Sequence, residues 1–253
     1  MKRLLILMYH LVDFPRHPRE RALCCLPKRF RQQMRWLRES GRPVIALDKI
    51  LGTADIPNDA IAVTFDDGFT TLETHALPVL REFGIPATLF VLPGRIGGDN
   101  EWMWRNGLPK RRLLDLPGLR RFQQAGIGIG CHTATHPHLP RLGDAALLRE
   151  IRDARHRLSD HIGQNVALFA YPFGEYGQRE RDIVAESGYG AACTTQAGFN
   201  SDPVDLLQLR RIEIRGDDSL GEYRRKLQFG ANRVGFDGLT RYFLGQVRKH
   251  IHV

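Results

Sequence analysis

Residues Ile61–Gly68 read IAVTFDDG, a short apolar run followed by two acids and a glycine. Such a run without polar alternation predicts a strand buried on both faces, as in a parallel sheet. Gly68 permits a tight turn, which leaves Asp66 and Asp67 at the strand's C-terminal edge. Similar runs recur at Leu4–Tyr9, Val44–Leu47, Ala87–Leu92, Ile127–Cys131, Val166–Ala170, Gly190–Thr194 and Arg211–Ile214. Helical patterns lie between them. Pro27–Ser40 sets Phe30, Met34 and Leu37 on one stripe, and Leu72–Phe83 follows the acidic turn. Asp144 is placed as the cap of a helix whose Leu147, Ile151, Ala154, Leu158 and Ile162 share a face, and Arg179–Ser187 stops at Gly188. Repeated strand–helix alternation predicts an α/β fold around a parallel sheet, either closed as an irregular barrel or open and doubly wound. Pro93–Gly118, rich in Gly, Pro and Trp, reads as a long loop.

The chain has 253 residues, 42% hydrophobic and 26% charged, which excludes a disordered or collagen-like chain. Its net charge of +9 comes mostly from arginine and is uneven. Residues 16–42, 110–121 and 207–253 are each rich in basic side chains, which suits an anionic neighbour such as an acidic membrane face or a phosphorylated carrier. Nucleic acid is not expected, because charge alone supports it. Cys24, Cys25, Cys131 and Cys193 show no CxxC spacing and read as reduced thiols. The apolar run after Met1 is short, and no small-residue cleavage site follows. These features predict a cytoplasmic protein, peripheral at most to the inner membrane.

Two segments carry chemistry. Adjacent acids at a strand end point in different directions, so one can bind a metal while the other acts as a base. His132-Thr133-Ala134-Thr135-His136, directly after another predicted strand, places two imidazoles four residues apart, able to converge on one cation. Thr133 stands where the zinc-protease HExxH pattern has its Glu. Parallel strand ends share one face, so His, His and Asp together make a facial triad with open positions.

These segments give the chain a resemblance to the polysaccharide deacetylase family, the NodB-homology group of carbohydrate esterases, like family 4. TFDDG (64–68) matches its first motif and HTATH (132–136) its second. Tyr171-Pro172-Phe173-Gly174 resembles its third. The resemblance implies a distorted (β/α) barrel of about seven parallel strands. It spans 1–215 as the catalytic domain, with 216–253 as a basic helical extension. It implies a hydrolase that removes N-acetyl groups from a carbohydrate: a surface polysaccharide, or a nucleotide- or lipid-linked precursor. Asp67, His132 and His136 would hold a divalent metal, zinc first, with cobalt, nickel and manganese as other candidates. Asp66 would be the base, and the Phe173 backbone N–H would stabilise the oxyanion. Tyr171 and Pro172 would border the substrate.

The family's third-motif Arg is absent, since Ala170 or Tyr171 stands there. Arg211 is the candidate to orient the base instead. The family's late His, its general acid, is not evident either. His10, at the end of the first strand, is the leading candidate for that acid, with His138 as the alternative or as a substrate contact. Trp102 and Trp104 offer faces for sugar stacking. Action on another C–N bond, as an amidase or deformylase, and non-catalytic glycan binding are the competing functions.

Overall fold

The computed structural model describes residues 3–52 and 56–234. The chain begins with β1 (Leu4–Tyr9), β2 (Leu11–Val12), β3 (Cys24–Cys25) and α1 (Pro27–Glu39). β4 (Ala60–Phe65) leads into α2 (Thr71–His75) and α3 (Leu77–Phe83), and β5 (Ala87–Val91) into α4 (Glu101–Trp104) and α5 (Leu116–Gln124). β6 (Gly128–Cys131) precedes α6 (Asp144–Leu148) and α7 (Ala154–Ile162), and β7 (Leu168–Ala170) precedes α8 (Gln178–Glu186). β8 (Ala191–Cys193), β9 (Ile212–Glu213) and α9 (Leu220–Phe229) follow.

Seven of these strands form one parallel sheet in the order β8-β7-β6-β5-β4-β1-β9. The sheet curls as the family resemblance implies, rather than opening into a doubly wound sheet. Leu209 bridges to Cys193 of β8, while Ile212 pairs with Leu7 of β1. The segment 209–213 therefore reaches from one edge of the sheet to the other. Side-chain alternation along the strands then divides the core. Leu5, Leu7 and Tyr9 join the large cluster under the helices, whereas Leu4 and Ile6 join a smaller cluster with Phe90, Ala170 and Leu209. Met8 and His10 continue that inward row toward the strands' C-terminal ends.

Several local expectations need correction. Val44–Leu47 is not a strand: Val44 makes one bridge to Ile61, and Leu47–Leu51 is a 3₁₀ turn. β5 pairs with β4 only from Val63 onward, so Val44 fills the slot left beside Ile61. The expected helix 72–83 breaks at Ala76, because Pro78 has no N–H for the carbonyl of the preceding turn. Gly143, not Asp144, is the N-cap of α6. The long loop ends earlier than expected. Asp115 caps α5 by accepting from the Gly118 N–H at 2.8 Å, with Pro117 in the first turn. Within that loop, buried Asn100 donates to the Pro109 carbonyl at 3.0 Å and accepts from the Arg111 N–H at 2.7 Å. All four cysteines are free and buried. The part of the 216–253 extension from residue 235 onward lies outside the described residues. Within the described part, Tyr223 of α9 packs edge-on against Trp36 of α1 at 5.8 Å between ring centres.

A buried ion cluster ties the loop after β2 to the loop after α4. Arg111 donates to Glu20 at 2.8 and 2.9 Å, to Asp13 at 2.5 Å and to the Phe14 carbonyl at 3.0 Å. Arg111 is only 2% exposed and Glu20 is fully buried. Removing one partner from such a cluster leaves an uncompensated buried charge. Arg111→Ala should therefore lower unfolding stability by about 3–5 kcal/mol. Urea denaturation at neutral pH measures this, and a loss near zero would contradict the clamp.

Candidate active site

Seven of the strand-end residues singled out by sequence surround a cavity of about 490 Å³ on one face of the barrel. That volume is within the usual range for small-ligand pockets. Asp66 and Asp67 follow β4, His132 and His136 follow β6, His10 follows β1, and Tyr171 and Phe173 follow β7. All seven line the cavity, as does Trp102 from α4.

Asp67, His132 and His136 converge. The Asp67 Oδ1 atom lies 3.7 Å from His132 Nε2 and 3.6 Å from His136 Nε2. One donor atom from each of the three falls within 4.8 Å of the others, and all three side chains are buried. The His132 Nδ1–H donates to the Ala170 carbonyl at 2.7 Å, which turns the Nε2 lone pair toward Asp67. Trp102 stacks on the His136 ring at 4.7 Å, and Phe173 meets it edge-on at 4.5 Å. The backbone that presents these groups is strained. Among the described residues, the non-glycine positions with positive φ are Asp59, Asp67, Thr133, His136 and Phe173, and all but Asp59 belong to this site. Glu150 holds the second-motif loop by accepting from the Thr135 N–H at 2.8 Å and from its hydroxyl at 2.7 Å. It lies in the π-helical stretch Arg149–Asp153, the kind of local bulge found at functional sites.

The donor set fits a divalent cation. Asp67 Oδ1 is a buried oxygen with no hydrogen-bond partner among the described residues. Burial pushes the Asp67 carboxyl well up, with the neighbouring Asp66 charge adding to the effect, pushes His132 down to about 4, and pushes His136 well below the ordinary imidazole range. Two neutral imidazoles beside an unpartnered carboxylate oxygen are the ligand chemistry of zinc-type sites.

Asp66 is treated differently. Burial alone would raise its pKa, but the Arg211 guanidinium overrides burial and holds the carboxyl at about 2. Arg211 is fully buried and grips Asp66 with both arms, Nη1 to Oδ1 at 2.7 Å and Nη2 to Oδ2 at 2.8 Å. Its Nε donates to the Thr194 carbonyl at 2.9 Å and Nη1 to the Thr64 hydroxyl at 3.2 Å. Phe90 lies beneath it, 5.6 Å from ring centre to guanidinium carbon. Gly130 makes room for that ring: a Cβ there would come within 2.5 Å of it.

His10 is half-buried in the cavity, with burial lowering its pKa and Asp66 opposing the shift. His138 does not line the cavity. It stacks on Phe173 at 4.1 Å, and its Nδ1 pairs with Glu175 at 2.7 Å. Pro172 is buried behind the cavity lining, and the Tyr171 hydroxyl is engaged by the Leu207 carbonyl at 3.2 Å. Trp104 is turned away, donating to Asp99 at 2.8 Å. The cavity also contains residues that sequence reasoning passed over: Leu23, Met103, Leu108, Thr195, Glu213 and Asn232. Glu213 carried a usable signal, since it lies two residues beyond Arg211 on a strand and therefore on the same face.

The sequence pattern described as polysaccharide deacetylase matches residues 53–192, and the chain belongs to the polysaccharide deacetylase family. Among relatives, the Bacillus subtilis protein YxkH is 27% identical over 84% of this chain and 71% of its own length. The poly-β-1,6-N-acetyl-D-glucosamine N-deacetylase of Staphylococcus epidermidis is 24% identical over 74% of this chain and 67% of its own. The structure of the Streptococcus pyogenes deacetylase PplD in complex with acetate superposes with a TM-score of 0.76 at 26% identity, covering 89% of this chain and 98% of that one.

The Arg211–Asp66 pair yields a pH-dependent prediction. Held at about 2, the Asp66 carboxylate favours the folded chain above the ordinary carboxylate range, and that contribution fades as the pH falls toward 2. Arg211→Met removes the partner and leaves a buried anion, lowering stability by about 3–5 kcal/mol at pH 7. At pH 4 the variant can protonate Asp66, so the deficit should narrow. Denaturant unfolding at both pH values checks this; a deficit that widens on acidification would assign the effect to another group.

Proposed function

We propose that this protein is a metal-dependent hydrolase that removes N-acetyl groups from a carbohydrate. The observation that carries the reading is the pairing, in one cavity, of a buried, converging Asp–His–His cluster with a second carboxylate kept ionised by Arg211. Family membership and the N-deacetylase relatives support the acyl group and the sugar class. Asp67, His132 and His136 would hold the cation, zinc being the ion their chemistry suits. When bound, it supplies Lewis acidity and makes water nucleophilic near neutral pH.

The chain's own residues account for the proton traffic. Asp66 accepts a proton from the attacking water; each of its oxygens keeps a second acceptor direction beside the Arg211 bond. The Phe173 backbone N–H, presented by a strained turn at the cavity mouth, donates to the oxygen that gains charge. His10 faces the same cavity and delivers a proton to the departing amine. Trp102 and Phe173 provide apolar walls against the sugar ring. The products are acetate and an amino sugar. We also propose that the protein works at a cytoplasmic membrane surface on a carrier-linked sugar. Exposed Arg16, Arg19 and Arg21, on the loop after β2, support that detail.

N-acetylglucosamine oligomers should release acetate with the purified protein, and a chelator should abolish release until zinc is returned. His10→Ala should slow turnover by at least about tenfold while metal content stays unchanged. An unaltered rate would remove His10 from the proton path. Formate or ammonia in place of acetate would redirect the function to another C–N bond.

A further inference from the structure

The reaction just described does not use Glu213, although Glu213 lines the same cavity. Asp66 is committed to Arg211, and Asp67 to the histidine cluster. Among the described residues that line the cavity, Glu213 is the remaining carboxylate, and no hydrogen bond or ion pair to another described residue engages its side chain. Strand alternation explains its position. Arg211 points inward to the base, Ile212 points outward into the helix-covered core, and Glu213 points inward again, beside Met8 of β1 and near His10. Among the described residues that line the cavity there is no Lys or Arg to neutralise it.

The backbone around Glu213 is fixed by the segment beyond the barrel. β9 is a two-residue edge strand, whose outer N–H and C=O would otherwise lack partners. The Glu213 N–H donates to Asn232 Oδ1 at 2.8 Å, and buried Lys226 donates from Nζ to the Glu213 carbonyl at 3.0 Å. Lys226 is itself balanced by Asp218 at 2.6 Å. The segment is seated tightly at its start. The Gly216 N–H donates to the Ala22 carbonyl at 3.0 Å, and a Cβ at Gly216 would fall 1.9 Å from the Cys24 carbonyl oxygen. Asn232 also lines the cavity, so this segment contributes one residue to its wall.

We propose that Glu213, held by Asn232 and Lys226, is a specificity-determining residue that favours a sugar carrying a free ammonium on the ring beside the reacting unit and disfavours one carrying a carboxylate on that ring. This rests on the cavity being a carbohydrate site. An ammonium is the complement of a lone, half-buried carboxylate, and it is the group that each round of deacetylation leaves on a chain. A carboxylate on the neighbouring sugar ring would instead meet Glu213 as a like charge. The protein would therefore act better on a partly deacetylated oligomer than on an acidic one of equal length.

The test compares three N-acetylglucosamine trimers: unmodified, with one unit already bearing a free amine, and with one unit oxidised to a carboxylate. The expected order of kcat/KM is amine-bearing, unmodified, carboxylated, with about fivefold between the extremes, the size of a half-exposed ion pair. Glu213→Gln should bring that ratio to about unity. Asn232→Ala, which frees the Glu213 N–H and removes one lining side chain, should lower it partway. A ratio unchanged by Glu213→Gln overturns the proposal, since a purely structural role would alter the three rates together. Calorimetric binding of the glucosamine dimer to the metal-loaded protein gives a second readout. If no trimer releases acetate, the deacetylase reading fails, yet loss of dimer binding in Glu213→Gln would still uphold the ammonium subsite. Equal dimer binding by both proteins would defeat it.

Discussion

The forked contact between Arg211 and Asp66 is the constraint around which the barrel is organised. Two neighbouring carboxylates in a buried site would tend to share one charge, because burial and mutual repulsion both favour protonation. Here the degeneracy is broken by geometry. One acid receives a guanidinium on both oxygens, and the other keeps a bare oxygen facing two imidazoles. The same arginine reaches across to Thr194 and Thr64, so the ion pair also fastens the last strand to the strands it must meet. Charge separation and sheet closure are therefore one structural event.

The loops that carry the Asp67–His132–His136 cluster show what this arrangement requires. Asp67, Thr133, His136 and Phe173 all adopt a left-handed backbone that their side chains disfavour. Such conformations persist only where the surroundings over-determine them. Glu150, Ala170 and the Trp102 ring supply that support from three different elements. Bringing Asp67 and His136 together takes both out of relaxed backbone positions, and the fold absorbs the difference through hydrogen bonds and stacking.

Much of this was legible in the sequence, for identifiable reasons. Strands buried on both faces announce themselves as apolar runs, and acids or histidines directly after them must lie on one face. Asp66, Asp67, His132, His136 and His10 were therefore placeable before any coordinates. Arg211 was legible only as the candidate for a missing role, because its inward direction depends on strand phase. Other features depend on partners remote in sequence. Val44 pairs only where β5 falls short, and Arg111 meets Asp13 and Glu20 across a long separation. Helix α5 was missed although Asp115 and Pro117 marked its start, because the surrounding glycines and prolines suggested an unbroken loop. Asn232 carried no signal at all. It enters the cavity only because the chain doubles back after α9.

Closure by the segment 209–213 has a consequence for how the chain matures. During synthesis the strands emerge in order, and the loops bearing Asp66, Asp67, His132 and His136 leave the ribosome long before Arg211. Until that residue arrives, the nascent sheet has an open seam and Asp66 lacks its guanidinium, so burying that carboxylate is unfavourable. The last strand is thus a latch: a partial chain has every incentive to stay ajar, and assembly of the reactive centre coincides with the final closing of the sheet.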